Sequence, residues 1–242
     1  MYALNKLTQL TLILVIMKLN FINAGDINGK VKYEGGIPKM KPIKMAADPI
    51  CDGQHSSGPA RSEWLIAKDD GSLKNVFIYV ESGLDEKKFE IPSEPVVLNQ
   101  VGCVYVPHVL GAQVGQNIDI LNSDGTLHNV HAMPKNKNNA AFNEAMPGAR
   151  KKITKKFNDS EVMVRMKCDV HPWMGAYIGV VNHPFFAVSD ENGNFSIKNL
   201  PPGEYTLKAW HERLPPKTII IKVADDTESS VNFIMKRPPK KE

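Results

Sequence analysis

From Ile27 onward the apolar residues come in short runs rich in Val, Ile, Tyr and Phe, and no stretch sustains the i, i+3, i+4, i+7 spacing of an amphipathic helix. Such runs between turn residues read as strands. The pattern predicts strands over Ile27–Tyr33, Trp64–Ala67, Val76–Val80, Val96–Leu98, Val104–Val106, Ile118–Leu121, Asn129–Met133 and Lys152–Phe157. Further strands are expected over Val162–Met166, Tyr177–Val181, Phe185–Val188, Asn194–Ile197, Tyr205–Trp210, Thr218–Val223 and Val231–Met235. Asp69-Asp70-Gly71, Ser123-Asp124-Gly125, Glu191-Asn192-Gly193 and Pro201-Pro202-Gly203 supply the positive or fixed φ that reverses a chain. The expected class is therefore all-β. Two stretches break the rhythm. Residues 37–62, with Pro38, Pro42, Pro49 and Pro59, read as a connecting excursion, and residues 134–150 as a polar loop with a shielding or docking role.

Ahead of the strands, Lys6 precedes an apolar stretch from Leu7 to Met17, and the segment closes on Asn23-Ala24. This is the layout of an export signal cut after Ala24, since its apolar core is short for a bilayer span; the rival is an uncleaved anchor. The expected location is periplasmic or secreted, and not transmembrane unless the signal is retained. At 42% hydrophobic and 23% charged, the 242-residue chain has the composition of a folded protein. The formal charge of +4 loses Lys6 and Lys18 with the signal and leaves +2, which argues against nucleic acid as a partner. The basic residues at the extreme C-terminus read as a solvated tail.

The chemistry concentrates in Lys167-Cys168-Asp169-Val170-His171-Pro172-Trp173-Met174, with His128-Asn129 upstream. A thiolate, two imidazoles and a weak thioether form the donor set that holds copper through both of its oxidation states. Zinc sites favour more thiolates or carboxylates, and no second cysteine is near in sequence. His131, two residues past His128, falls on the same strand face about 7 Å further on, so it reads as a supporting or surface residue. His108, His183 and His211 read as structural. With Cys168 assigned to the metal, Cys51 and Cys103 are left to form a disulfide in an exported chain. The alternative is a second metal site built from Cys51, His55, Cys103 and His108.

In these residues the sequence resembles the cupredoxins, and among them the amicyanins: Cys-x2-His-Pro-aromatic-Met in the ligand loop, and His128-Asn129-Val130-His131 at the upstream ligand. The resemblance covers residues 95–182 and implies a Greek-key β-sandwich holding one mononuclear copper ion. It implies His128 and His171 as imidazole ligands, Cys168 as the thiolate, Met174 as the axial thioether, and Asn129 as the residue tying the two ligand loops together. It also implies an electron carrier rather than an enzyme. A redox partner, cytochrome or oxidoreductase, would then dock on Pro172 and Trp173 beside an exposed edge of His171.

Gly193-Asn194-Phe195 followed by Pro201-Pro202-Gly203-Glu204-Tyr205-Thr206-Leu207 resembles the carboxypeptidase regulatory-like domain, a small transthyretin-like sandwich. It is expected as two hairpins turning at 190–193 and 201–203, with Phe195, Tyr205 and Leu207 inward. Ile27-Asn28-Gly29-Lys30-Val31, with Tyr33 and Gly35-Gly36, resembles that domain's opening, which suggests a copper domain inserted within it. The expected organisation is a signal peptide at 1–24, an N-terminal β segment and excursion at 25–94, the copper domain at 95–182, the second sandwich at 183–236 and a basic tail at 237–242. Two functions compete: an exported type 1 (blue) copper electron-transfer protein, or a copper-binding, delivery or scaffold subunit of an envelope redox complex that uses the second sandwich as its interaction module.

Overall fold

The computed structural model describes residues 24–85, 87–224 and 227–238, so the expected signal, Ala24 apart, and the end of the basic tail lie outside the described residues. In chain order the elements are β1 (Gly25–Glu34), α1 (Pro49–Gly53), β2 (Phe77–Ser82), β3 (Val96–Val101), β4 (Val104–Val106), β5 (Val109–Gln113), β6 (Ile118–Asn122), β7 (His128–Met133) and β8 (Phe142–Met146). They continue with β9 (Lys152–Lys155), β10 (Glu161–Lys167), β11 (Gly175–Val181), β12 (Phe186–Val188), β13 (Asn194–Leu200), β14 (Gly203–His211), β15 (Leu214–Val223) and β16 (Glu228–Lys236). The protein is all-β, as its patterning predicts. Among the described residues no helix is long and apolar enough to cross a membrane.

Four sheets make two sandwiches. One pairs the order β5-β11-β10-β7-β8 with β4-β3-β6-β9. Its core holds Leu98, Tyr105, Ile120, Val130, Met146, Val164 and Ile178, together with Cys168 and Met174. The other pairs β13-β1-β16 with β12-β2-β14-β15 around Ile27, Val31, Ile78, Leu207 and Phe233. β1 runs antiparallel to β13 and parallel to β16. The strands on either side of the first sandwich thus complete the second one.

The sandwiches meet at two glycines. Gly111 of β5 and Gly179 of β11 are register partners, and their missing side chains leave a flat patch filled by the rings of Phe186 and Phe77. A Cβ on Gly179 would stand 2.6 Å from the Phe77 ring, far inside contact distance.

Several expectations are corrected. The excursion contains a one-turn helix, α1. Trp64–Ala67 is not a strand; Leu65 is buried in the second core, and Ala67 forms only an isolated bridge to Leu73. Two strands escaped the pattern. In β5, Gly111 and Ala112 interrupt the β-rich run, and β8 lies within the expected polar loop 134–150 because it is an edge strand whose outward residues are polar. The two expected hairpins are not hairpins. β12 pairs with β2, β13 with β1, and β14 with β2 and β15, so each of those turns carries the chain across the core to the opposite sheet. Phe195, Tyr205 and Leu207 are buried, as strands with one face on a shared core require.

Candidate metal centre

His128 opens β7, while Cys168, His171 and Met174 lie in the turn from β10 to β11, at one end of the first sandwich. Tyr105 fastens the two strands there, its single hydroxyl proton shared between the carbonyls of Asn129 and Lys167, each 3.1 Å away. Asn129 continues the join: its Oδ1 accepts from the backbone N–H groups of Asp169 at 2.6 Å and Val170 at 3.1 Å. Its own N–H and that of His171 point at the Cys168 sulfur, at 3.5 and 3.3 Å. Burial opposes charge on Cys168, but hydrogen bonds from His128 and from these backbone amides outweigh it and lower the thiol's pKa. The loop is built to hold a thiolate.

The donor atoms of His128, Cys168 and His171 all lie within 4.8 Å of one another, and the three residues are buried. His128 Nδ1 is 2.9 Å from His171 Nδ1, which is 3.8 Å from Cys168 Sγ. Bonds of about 2.0 Å to imidazole and about 2.3 Å to thiolate put two such nitrogens about 3 Å apart at an angle of about 100°, and nitrogen and sulfur about 3.8 Å apart at about 125°. These two separations suit donors to a single ion. Met174 shares the buried cluster beside Cys168.

Each imidazole is held from behind by a carboxylate. His128 Nε2 lies 2.8 Å from Asp124 Oδ2, and His171 Nε2 lies 3.0 Å from Asp48 Oδ2. An ionised carboxylate only accepts, so Nε2 carries the proton on both rings and Nδ1 is the atom turned to the metal position. Asp124 is itself anchored by the N–H groups of Gly102 and Cys103 at 2.8 and 2.9 Å. Burial works against the charged His128 ring, yet the bonds to Asp124 and Cys168 prevail and raise it to about 9. Burial likewise works against the Asp48 and Asp124 carboxylates, but their hydrogen bonds hold both below the usual range.

Residues 163–236 match the carboxypeptidase regulatory-like domain, a span that takes in most of β10, the ligand loop and the six strands from β11 to β16. Solved structures similar to the chain include a mutant amicyanin in its Cu(I) form, at 20% identity over 41% of this chain and 96% of that one, with a TM-score of 0.33. A copper-containing nitrite reductase from Thermus scotoductus SA-01 aligns at 18% identity over 40% of this chain and 26% of that one, TM-score 0.33. A purple cupredoxin from Nitrosopumilus maritimus aligns at 20% identity over 35% and 98%, TM-score 0.30. Similarity this slight carries no functional weight, and no curated protein matches the chain.

Other expected site residues separate clearly. Cys51 and Cys103 form a disulfide. That removes the alternative second metal site, and His55 and His108 are engaged elsewhere: His55 Nε2 with the Gly102 carbonyl at 2.8 Å, His108 Nε2 with Glu212 at 2.7 Å. Asp48 and Asp124 each stand near a histidine and one of these cysteine sulfurs, but the sulfurs are bonded to each other and offer no thiolate. His131 is partly exposed and pairs with Asp169 at 2.9 Å, outside the converging donors. His183 and His211 are buried in the second sandwich's surroundings, away from the cluster.

The expected exposed edge of His171 is overturned. Only 2% of the residue is accessible, because the excursion folds over it: Asp48 takes its Nε2–H, and Cys51 Sγ stands 3.6 Å from the same atom. Trp173 flanks the ring with centroids 5.0 Å apart and donates its indole N–H to the Cys103 carbonyl. Pro172 is exposed, and Trp173 with Met174 walls a cleft of about 210 Å³ between this cap and the two sandwiches. Neither Asp48 nor Asp124 was a sequence candidate. Asp124, four residues before His128 in a turn, carried a local signal; Asp48 carried none.

Proposed function

We propose that this chain is an exported mononuclear copper protein of the blue type that carries electrons. The observation behind the reading is the convergence of Cys168 Sγ with two Nδ1 atoms at separations that suit one ion. Cys168, His128 and His171 would hold the copper, with the Met174 thioether as a weak further donor; a bound copper in such a set would supply one-electron exchange. The chain's own contribution is rigidity. Asn129, Tyr105 and the carboxylates fix the ligands before metal arrives, so little reorganises on oxidation or reduction. The saturated donor set points to a carrier or redox subunit rather than an enzyme. Copper loading should produce an intense visible band with reversible cycling, both lost in Cys168→Ala; a colourless product would reject the reading.

One observation favours copper storage, delivery or a scaffold role in a redox complex instead, namely the burial of His171 beneath the cap. Under that second reading the protein binds Cu(I) without colour and passes it to an acceptor. The same titration separates the two. The carboxypeptidase regulatory-like sandwich would serve either role as an interaction module.

A further inference from the structure

The excursion over His171 is held to the first sandwich more firmly than a passing loop requires. Cys51 is crosslinked to Cys103, which immediately precedes β4, and both cysteines are fully buried. Met45 packs into the same cluster, His55 binds the Gly102 carbonyl, and Trp173 binds the Cys103 carbonyl. Asp48 lies in this tied-down segment, three residues ahead of Cys51.

Asp48 divides its two oxygens between two tasks. Oδ1 accepts the N–H groups of Ile50 and Cys51 at 2.9 and 3.2 Å, capping α1, whose first residue is Pro49. Oδ2 is thereby aimed outward, where it takes Thr126 Oγ1–H and His171 Nε2, each at 3.0 Å. Thr126 lies just ahead of His128, so one oxygen touches the neighbourhood of both histidine ligands. The helix cap fixes the carboxylate, the crosslink fixes the helix, and the carboxylate fixes the ring.

We propose that Asp48, delivered from outside the metal-holding sandwich by a disulfide-stapled cap, is the positioning residue for His171. It holds the Nε2–H tautomer, closes the ring edge to solvent, and through its negative charge favours the more positive, oxidised state of a bound copper. This rests on the copper reading above. A carboxylate behind a ligating imidazole raises that ring's basicity, and losing such a partner typically costs about 10–100-fold in metal affinity. Asp124 does the same for His128 from within the sandwich, so the two rings are set by different parts of the chain.

The test uses the full chain with copper, comparing wild type with Asp48→Asn, Asp48→Ala, Asp48→Glu and the double variant Cys51→Ala/Cys103→Ala. Copper loss to a chelator should quicken about 10–100-fold in Asp48→Ala and in the double variant. The potential should rise in Asp48→Asn, by about 59 mV for each tenfold preferential loss of Cu(II) affinity over Cu(I), and Asp48→Glu should restore part of it. Imidazole nitrogen NMR of the metal-free chain gives a readout independent of copper: His171 is Nε2-protonated in wild type and a tautomer mixture in Asp48→Ala. Unchanged potential and copper loss in Asp48→Asn and Asp48→Ala overturn the proposal, as does an unchanged tautomer in Asp48→Ala. A wild-type chain that takes up no copper overturns the copper reading, and the tautomer measurement still decides the role of Asp48.

Discussion

The Nδ1 atoms of His128 and His171 face each other at 2.9 Å, while each Nε2 is occupied by a carboxylate. Two lone pairs at that distance repel unless a cation lies between them. A proton or a metal ion between them relieves that repulsion, and it is the bonds to Asp124 and Cys168 that hold the charged form of His128 up to about 9.

The pH dependence of the metal-free protein follows. His128 holds its proton more tightly folded, at about 9, than at its ordinary 6.5. Its stabilising contribution is therefore complete below 6.5 and is lost as pH rises through 9. His211 behaves oppositely, since burial pushes it down to about 4 and the unfolded chain protonates first. Stability should fall by up to about 3 kcal/mol as pH drops from 6.5 to 4. Denaturation midpoints measured from pH 4 to 10 should fall on both sides. A flat alkaline limb would contradict the His128 assignment, and an acid limb unaltered in His211→Gln would contradict the other.

Asp124 is 2% exposed and accepts from His128 and two backbone N–H groups, so Asp124→Ala strands three donors. The expected cost to the metal-free protein at pH 7 is about 3–5 kcal/mol by urea unfolding. A loss below about 1 kcal/mol would show that water replaces the carboxylate.

Gly179→Ala drives a methyl group into the Phe77 ring at the junction of the sandwiches. Overpacking should destabilise the protein by about 1–3 kcal/mol. If the junction is the cause, Phe77→Leu in the same chain recovers part of the loss, as a double-mutant cycle would reveal. Equal penalties with and without Phe77 would place the strain elsewhere.

On the proposed electron-carrier role, a redox partner would meet Pro172 and Trp173 rather than the buried edge of His171. Trp173→Ala should slow electron exchange with a cytochrome or oxidoreductase partner about tenfold or more, while the visible spectrum changes little. Stopped-flow mixing checks this, and an unaltered rate dismisses the patch.

The sequence announced what is local. Cys168, His171 and Met174 share one short loop whose spacing limits the ions it suits, and strand runs such as Val104–Val106 carry their pattern in adjacent residues. The Cys51–Cys103 disulfide followed from the third cysteine having a use of its own. Asp48 was invisible because its role depends on a fold that brings it 123 positions along the chain to His171. β5 was hidden for a related reason: Gly111 and Ala112 look like a strand breaker until the Phe186 ring is placed over Gly111 and Ala112 is seen in the first core. The exposed edge foreseen for His171 failed because an insertion outside the ligand motif decides it.

The pairing of β1 with β16 has a consequence for how the molecule is made. Lys30 reaches its neighbour Asn232 across 202 positions, and β13 also follows the whole of the first sandwich. As the chain emerges in order, β1 waits without either partner while β3 to β11 find theirs nearby. The first sandwich lies between the two halves of the second, so once β3 to β11 have packed, the loop that the outer sandwich must close between β2 and β12 is shorter than their separation in sequence implies.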